Sequence, residues 1–244
     1  MGKTAVITGS SRGIGKACAL KLAEKGFDIV VNYNSNEEAA NKTVSEITAL
    51  GRKAVAVKAD TSDIKQVQDM FRTAFKEFGG IDVLVNNAGV VKDAYLLMLN
   101  GDSLQKSLDI NIKGYFNCAQ QAALKMMKNR KGSIINISSV SGNHALVGQS
   151  VYSATKGAVN SMTMVLAKEL APYGIQVNAV APGFVETEMI DAVPEEKLKE
   201  YLDVIPMKRF AKAEEVAEAV SLFADGSLSY VTGQVIVMDG GLSL

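Results

Sequence analysis

The chain has 244 residues, in which 26 Lys and Arg balance 26 Asp and Glu. Such a balance provides no large electric field to attract nucleic acid or an anionic membrane, so neither is expected as a partner. One His and two widely separated Cys exclude a two-histidine metal site and a Cys/His zinc cluster, so no metal is expected.

The N-terminal apolar stretch is too short for a secretory signal, and no later segment reaches the roughly 18 apolar residues of a membrane span. These features predict a soluble protein of the cytoplasm. Cys18 and Cys118 lie within helical patterns and are expected to be buried thiols.

Short apolar runs rich in β-branched residues alternate with longer amphipathic segments, which predicts repeated βα units around a parallel sheet. Strands are predicted at residues 4–8, 28–33, 54–58, 82–86, 133–138, 175–180 and 234–238. Helices are predicted to begin near Gly13, Glu37, Ile64, Ser103, Val151 and Glu214, with two more at 187–192 and 195–202. The pattern predicts one doubly wound, Rossmann-type α/β domain over residues 1–244, with about seven parallel strands and helices on both faces.

The segment between the sixth strand and the last helix departs from this rhythm. Two short helical patterns there are flanked by Pro182, Pro194 and Pro206. An insertion beyond the carboxyl end of a strand lies where open α/β sheets bind their ligands. We therefore predict a substrate lid at about residues 184–210 with Gly183 as its hinge, the alternative being an ordinary surface helical hairpin.

A glycine-rich loop follows the first predicted strand and opens the first helix. Glycines in such a loop let backbone amides approach a pyrophosphate, and the helix N-terminus supplies positive potential. The spacing is Gly-x3-Gly-x-Gly, so the position of the loop in a strand-loop-helix unit carries the prediction more than the glycines do. The residues predicted to bind a dinucleotide coenzyme here are Gly9, Ser11, Arg12, Gly13, Ile14 and Gly15.

The end of the second strand predicts which coenzyme is bound. A carboxylate at this point binds the ribose 2′-hydroxyl of NAD, whereas a nearby Arg accommodates the 2′-phosphate of NADP. The strand ends at Asn32-Tyr33-Asn34, without a carboxylate, and Arg12 lies in the neighbouring loop. We therefore predict NADP(H) over NAD(H), although Glu37 and Glu38 follow a few residues later, and we predict that Asn32 binds the coenzyme.

Polar residues also follow the third and fourth strands. Asp60 and Thr61 end the third, and Asn87, Ala88 and Gly89 end the fourth. Because the carboxyl ends of parallel strands meet at one edge of a sheet, we expect these residues to line the adenosine site. Routine turn chemistry is the alternative for each of them alone.

Tyr152 and Lys156 are four residues apart in a predicted helix, so they share one of its faces. A phenol titrates near pH ~10, and its use as an acid or base near neutrality requires a shift of roughly 3 units, which a nearby cation favours. We therefore expect Lys156 to lower the pKa of Tyr152. Alone, such a pair is far more often two surface residues than a catalytic pair.

Several motifs occur together along the chain. They are Thr8-Gly9-x3-Gly13-x-Gly15, Asn86-Asn87-Ala88-Gly89, Asn111, Ser139, Tyr152-x3-Lys156 and Pro182-Gly183. Over essentially the whole chain, they resemble the short-chain dehydrogenase/reductase family. Within it, residues 178–189 and 230–241 among others are most similar to the 3-oxoacyl-[acyl-carrier-protein] reductases of fatty acid synthesis.

The resemblance implies reduction of a 3-oxoacyl thioester by NADPH. Ser139 is implied to hydrogen-bond the substrate carbonyl, in preference to Ser138, and Tyr152 to protonate the alkoxide that forms. Lys156 is implied also to hold the nicotinamide ribose, Tyr152 also to contact the coenzyme, and Asn111 to hold a water that returns the proton. The residues implied to bind the nicotinamide end of the coenzyme are Pro182, Gly183, Val185 and Thr187.

The resemblance further implies a homotetramer packed through helices near Asn111 and Val151 and through the C-terminal strand. Family members that take a carrier protein resemble this chain at Arg130, but Tyr173 occupies their second basic position, which weakens the electrostatic docking of an acidic carrier. A CoA thioester or a free ketone therefore stays open as the substrate, as do the acyl chain length and the physiological direction.

The sequence also allows other activities. Within the family, the alternatives are an acetoacetyl-CoA reductase and a hydroxysteroid, sugar or secondary alcohol dehydrogenase. From another class, the alternative is a non-catalytic nucleotide-binding protein, which usually requires a damaged Ser-Tyr-Lys set. Residues 91–97 and 144–149 and the lid are expected to shape the substrate site.

Overall fold

The computed structural model describes residues 2–188 and 195–244. Its strands are β1 (Lys3–Ile7), β2 (Phe27–Tyr33), β3 (Ala54–Lys58), β4 (Val83–Asn86), β5 (Gly132–Ile137), β6 (Ile175–Pro182), β7 (Val185–Glu186), β8 (Ala211–Lys212) and β9 (Val235–Met238). Its α-helices are α1 (Gly13–Glu24), α2 (Glu37–Ala49), α3 (Ile64–Phe78), α4 (Gly101–Leu108), α5 (Gly114–Asn129), α6 (Ser150–Leu170), α7 (Glu195–Val204) and α8 (Ala213–Ala224).

All of these strands except β7 and β8 join one parallel sheet, in the order β3-β2-β1-β4-β5-β6-β9. Ile7, at the end of β1, is paired with Val31 of β2 on one side and Val85 of β4 on the other. The chain order reverses at β1, and the loops on either side of such a switch point diverge and leave a crevice at the carboxyl ends of the strands. The predicted α/β fold with a seven-stranded parallel sheet is confirmed.

Alternate residues of the sheet face two separate layers of helices. Ala5 and Ile7 of β1 pack with α1, α2 and α8, whereas Val6 between them packs with α3, α5 and α6. Fully burying one such aliphatic side chain stabilises the fold by about 1.5–3 kcal/mol. Because apolar layers cover both faces of the central strands, polar groups of a site gather at the ends of the strands.

Side chains that accept hydrogen bonds from first-turn amides fix where two helices begin. The Asn36 side chain accepts from the Ala39 amide at 3.0 Å at the start of α2, and Asp63 accepts from the Lys65 amide at 2.8 Å at the start of α3. Each such cap contributes about 1 kcal/mol. Both helices therefore begin within one residue of their predicted starts at Glu37 and Ile64.

Two predicted helices differ from the structure. The helix predicted to begin near Ser103 is split, because a π-helical turn at Asp109–Lys113 separates α4 from α5. Most of the helix predicted at 187–192, like Pro194, lies outside the described residues. The helix predicted at 195–202 is present as α7.

The described part of the lid region is anchored to the rest of the domain. β7 pairs with β8, and the ring of Phe184 stacks on that of Tyr201 with centroids 4.4 Å apart. Gly183 packs tightly, because a Cβ there would lie 2.9 Å from the Cα of Asp239. This contact explains the glycine, while its role as a hinge stays a prediction.

Among residues 2–188 and 195–244, no helix has both the length and the apolar character needed to cross a bilayer.

Candidate active site

A cavity of about 680 Å³ opens at the switch point of the sheet. Its walls come from the loop after β1, from the ends of β2, β3 and β4, and from the segment after β7. The residues predicted to bind coenzyme that line it are Gly9, Ser11, Arg12, Gly13, Ile14, Asn32, Asp60, Thr61, Asn87, Ala88, Gly89 and Thr187. The remaining predicted nicotinamide-end residues lie at the end of β6 (Pro182), just after it (Gly183) and in β7 (Val185).

The first turn of α1 leaves its amides free for a ligand. Within the described residues, no side chain caps this helix at Arg12, and its first turn holds no acidic residue. The first four N–H groups of a helix have no partner inside the helix, and together with the helix dipole they attract an anion. The start of α1 therefore suits a phosphate group.

The glycines of this loop are required by its geometry. Gly9 has a φ of 63°, in the left-handed region that favours glycine. A Cβ at Gly15 would overlap the carbonyl oxygen of Gly9 and would lie 2.5 Å from the side-chain nitrogen of Asn87. Any side chain at Gly15 would therefore push the loop away from the end of β4. Free amides, a tight loop and the size of the cavity fit a nicotinamide dinucleotide.

Asn32 and Asn87 hold this loop in place with their side chains. The Gly9 amide donates to Oδ1 of Asn32 at 3.1 Å, and Nδ2 of Asn32 donates to the Ala59 carbonyl at 3.0 Å. Nδ2 of Asn87 donates to the Thr8 carbonyl at 2.9 Å. The buried amide of Asn32 is bonded within the protein and positions the loop, while its predicted contact with the coenzyme stays a prediction.

Arg12 extends across the mouth of the cavity. Its guanidinium lies 2.9 Å from the carboxylate of Glu188, and both side chains are about two-thirds exposed, at 69% and 64%. The sequence predicted Arg12 as a partner for phosphate but did not indicate Glu188. An exposed ion pair of this kind contributes little to stability, so the guanidinium is free to exchange partners.

Asp60 and Thr61 form the wall at the end of β3. The Asp60 carboxylate accepts hydrogen bonds from the amide and the hydroxyl of Ser62, at 2.9 and 2.7 Å. The Thr61 carbonyl accepts from Nδ2 of Asn117 in α5 at 2.9 Å. These bonds fix the loop beside the cavity.

Ser139 and Tyr152 meet beyond the cavity, where β5 ends and α6 begins. The side chain of Ser139 acts to lower the pKa of Tyr152, while its hydroxyl donates to Oγ of Ser141 at 3.2 Å. Ser138 is directed elsewhere, because its hydroxyl donates to Oδ1 of Asn160 at 2.5 Å. The geometry therefore brings Ser139, and not its neighbour, to the phenol.

Burial raises the pKa of Tyr152 to about 12. The hydrogen bond with Ser139 lowers this pKa and the charge of Asp93 raises it, but burial dominates. The prediction that Lys156 would lower the pKa of this phenol is therefore wrong. The phenol keeps its proton at neutral pH.

Lys156 is buried next to a different phenol. Its Nζ donates to the Ile137 carbonyl at 2.8 Å and to the hydroxyl of Tyr115 at 3.2 Å, and it lies 5.6 Å from the centroid of the Tyr152 ring. Burial lowers the pKa of Lys156 to about 7. The lysine is thus only partly charged near neutrality, which explains why it does not acidify Tyr152.

Asn111 lies in the π-helical turn between α4 and α5 and is fully buried. Its Oδ1 accepts from the Val90 amide at 2.8 Å, while Nδ2 donates to the Val90 carbonyl at 2.9 Å and to Oγ1 of Thr155 at 3.2 Å. Each amide atom therefore has a partner in the protein. The side chain fastens the loop after β4 to α6, and its predicted role of holding a water stays a prediction.

The sequence of this chain is similar to those of known reductases. A family model described as enoyl-(acyl carrier protein) reductase matches residues 9–243. The 3-oxoacyl-[acyl-carrier-protein] reductase FabG of Staphylococcus aureus is 43% identical over 242 residues, covering 99% of this chain and 98% of that protein. FabG of Thermotoga maritima is 42% identical over 241 residues, covering 99% of this chain and 98% of that protein.

Solved structures agree with these relatives. A double mutant of a short-chain dehydrogenase/reductase from Serratia marcescens has a TM-score of 0.95 and 35% identity, covering 99% of this chain and 98% of that chain. An acetoin dehydrogenase from Enterobacter cloacae has a TM-score of 0.90 and 39% identity, and the match covers 99% of this chain and 96% of that chain. The chain belongs to the short-chain dehydrogenase/reductase family. This membership confirms the resemblance seen in the sequence.

As a short-chain dehydrogenase/reductase, the protein is an oxidoreductase that acts on CH–OH groups with a nicotinamide coenzyme. A coenzyme bound along the cavity would reach Lys156, because a Cβ placed on Gly89 in the wall lies 4.0 Å from its Nζ. The cavity and the Ser139–Tyr152 pair are therefore two ends of one site.

Two parts of this short-chain dehydrogenase/reductase site were missed by sequence reasoning. One is Tyr115, a buried aromatic residue whose only sequence indication is its position four residues after Asn111. The other is a chain of hydrogen bonds from Ser139 outward, although its outer members lie in the segments 144–149 and 91–97 that were predicted to shape the substrate site. Ser141 donates to Gln149 at 2.9 Å, and Gln149 donates to Asp93 at 3.1 Å. No spacing rule joins these residues, because they come from three separate loops.

Proposed function

We propose that this protein is an NADPH-dependent 3-oxoacyl-[acyl-carrier-protein] reductase of fatty acid synthesis. The observation that carries the substrate class is identity of 40–43% to reductases of that name over 98–99% of this chain. The geometry supplies the chemistry that such a reaction needs, since a hydroxyl pair meets at the end of a dinucleotide-sized cavity.

In this proposal, Ser139 and Tyr152 act on the carbonyl oxygen of the substrate. A nicotinamide coenzyme, when bound, supplies the hydride. Ser139 donates a hydrogen bond to the oxygen, which strengthens as negative charge develops there, and Tyr152 transfers its proton to the alkoxide. A phenol whose pKa is about 12 is protonated at neutral pH, which is the form that reduction requires.

Lys156 and Asn111 support these two hydroxyls. Lys156 lies beneath the Tyr152 ring, where its charge would stabilise the phenolate left after proton transfer. Asn111 holds the loop after β4 against α6. This contact fixes the position of the cavity wall relative to the helix that carries Tyr152 and Lys156. Lys156 would also contact the nicotinamide ribose, and Thr187 the nicotinamide end of the coenzyme.

The proposed preference for NADPH rests on the residues around the adenosine end of the cavity. The wall formed by the end of β2 runs from Asn32 to Asn36 without a carboxylate, and the first carboxylate after it, that of Glu37, is engaged with the Tyr33 phenol. Arg12 reaches the same wall, and its partner Glu188 is exposed and exchangeable. A guanidinium is well suited to binding phosphate.

The acyl carrier is inferred from the relatives and not from Arg130. That residue precedes β5 at the amino edge of the sheet, whereas the cavity opens at the carboxyl edge. Its guanidinium donates to the Pro172 carbonyl at 2.5 Å, which ties it to the turn before Tyr173. A carrier protein docked there would therefore face away from the cavity of the same chain.

A homotetramer forms part of the proposal. α5 exposes Phe116 and Leu124, and α6 exposes Met164 and Val165. β9, at the edge of the sheet, exposes Ile236 among other apolar residues. Apolar faces of this size on two long helices and an edge strand are typical of subunit contacts. Light scattering after gel filtration should give four times the 25.9 kDa chain mass.

The substrate assignment is tested by following NADPH consumption with a panel of substrates at equal concentration. We expect acetoacetyl-carrier protein to be reduced fastest, acetoacetyl-CoA more slowly, and acetoin or simple ketones poorly. NADH in place of NADPH should lower kcat/KM. Preference for acetoin, or oxidation of secondary alcohols without thioester reduction, would reassign the protein within its family, and no turnover of any substrate would favour a non-catalytic role.

A further inference from the structure

A second tyrosine lies directly against the catalytic lysine. Tyr115 is in the first turn of α5, and 1% of its surface is exposed. Its hydroxyl donates to the Ile137 carbonyl at 2.9 Å and accepts from Nζ of Lys156 at 3.2 Å. Nζ itself donates to the same carbonyl at 2.8 Å, so the three groups form a closed triangle.

The triangle leaves the lysine little freedom. An ammonium has three N–H donors, and two of them are taken by the Tyr115 oxygen and the Ile137 carbonyl. Nζ also lies 5.1 Å from the centroid of the Tyr115 ring, within the range of a cation–π interaction. The remaining donor is available to the coenzyme site, on the side where Gly89 lines the cavity.

We propose that Tyr115 is a positioning residue for Lys156, whose hydroxyl and ring hold the ammonium beneath Tyr152. The inference rests on the proposed reductase function for its effect on turnover, but not for its effect on the lysine itself. Tyr115 does not touch the substrate, because it is enclosed between α5 and the end of β5. Tyr115 affects turnover only because it fixes the position of Lys156 and stabilises its charged form.

The electrostatic setting makes this contribution measurable. The titratable groups facing Nζ are the phenols of Tyr115 from α5 and Tyr152 from α6, with the thiol of Cys118 beside Tyr115 and the carboxylate of Asp93 near Tyr152. Burial alone lowers the pKa of Lys156 to about 7. The Tyr115 oxygen accepts a bond from the charged form, so removal of that oxygen must lower this pKa further.

Tyr115→Phe tests the inference while keeping the ring and its packing. The pKa of Lys156 is followed by NMR of protein labelled with ¹³C at the lysine Cε, with Lys156→Met to assign the resonance. We expect the midpoint to fall by about one pH unit, which is a tenfold weaker hold on the proton. An unchanged midpoint would overturn the proposal whatever the substrate of the enzyme proves to be.

Turnover provides the second measurement. Reduction needs the charged lysine, so the fall of kcat at high pH should move to lower pH in Tyr115→Phe, while KM for acetoacetyl thioester changes by less than about twofold. NADPH affinity, measured by fluorescence titration, should weaken by about tenfold, because the Lys156 ammonium would no longer be held in place to bond the coenzyme. Wild-type protein that titrates as expected but reduces no thioester would contradict the proposed function alone.

The matched control is Cys118→Ala, which disturbs the packing beside Tyr115 without removing a bond to Lys156. It should lower Tm and leave the lysine midpoint in place. An equal midpoint shift in this control would reduce Tyr115 to a packing residue and overturn the inference. If Tyr115→Phe folds poorly, Tyr115→Leu removes hydroxyl and ring together and should shift the midpoint further, whereas no shift there would also overturn it.

Discussion

Nζ of Lys156 lies 5.6 Å from the centroid of the Tyr152 ring. The ammonium is therefore under the ring and not bonded to the hydroxyl, which instead meets Ser139. This arrangement keeps Tyr152 protonated until charge develops on the substrate oxygen.

Ser139→Ala should lower kcat for acetoacetyl thioester by about 10²–10³, because one aligned donor to a developing oxyanion is worth that factor. The matched control is Ser138→Ala. The hydroxyl of Ser138 is bonded to Asn160, so this variant should lose about 1–3 kcal/mol of folding free energy in urea unfolding and keep its kcat. The reverse pattern would place the catalytic hydroxyl on Ser138.

Arg12→Ala should lower the ratio of kcat/KM for NADPH over NADH by about tenfold or more, since a charged contact to the 2′-phosphate is lost. The loss should shrink at high salt, which screens the exposed guanidinium. A ratio equal to that of wild type would remove Arg12 from coenzyme selection.

Glu188→Gln is the companion experiment to the arginine variant. It removes the carboxylate that pairs with Arg12 at 2.9 Å, so NADPH should bind severalfold more tightly while Tm stays nearly constant. Isothermal titration and thermal scans measure the two effects. Weaker NADPH binding in this variant would show that Glu188 supports the site and does not compete for Arg12.

The buried lysine should also make folding stability depend on pH. Burial lowers the pKa of Lys156 to about 7, whereas an unfolded lysine titrates near ~10.4. Between these values the unfolded chain binds more protons, so stability rises with pH by at most about 1.4 kcal/mol per unit. The rise begins near pH 7.

The two buried cysteines end this rise in stability at higher pH. Burial raises the pKa of Cys18 to about 12 and that of Cys118 still higher, so ionisation of unfolded thiols removes stability above about pH 9. Urea unfolding of wild type should therefore show a maximum at about pH 8–9. Lys156→Met should abolish the rise between pH 7 and 9, and an identical slope in both proteins would refute the lowered pKa.

Much of the fold could be predicted because its determinants are local. The β-branched runs, the Asx caps at Asn36 and Asp63 and the glycine loop each specify their element without help from distant residues. The carboxyl ends of parallel strands then meet by topology, which brought Asp60, Asn87 and the glycine loop to one cavity. The break at Asp109–Lys113 has no such local pattern, because it is stabilised by contacts of Asn111 with Val90 and Thr155.

The site was less predictable where burial decides the chemistry. Helical spacing correctly places Tyr152 and Lys156 on one face, but it does not report how deeply each group is buried. Burial raises the pKa of Tyr152 and lowers that of Lys156, so the phenol pKa moves in the direction opposite to the expected one. Likewise, the side chains of Asn32 and Asn111 are taken up by backbone partners that lie far away in sequence.

The most direct test of the account is the rate at which a preformed complex of NADPH with Tyr152→Phe reduces acetoacetyl thioester in a single turnover. The account predicts loss of the rate by at least about 10²-fold, the usual lower bound for a general acid, with the NADPH dissociation constant within about twofold of wild type. The far-ultraviolet spectrum and Tm serve as controls for folding. Turnover close to that of wild type would contradict the central claim that the Tyr152 hydroxyl protonates the product.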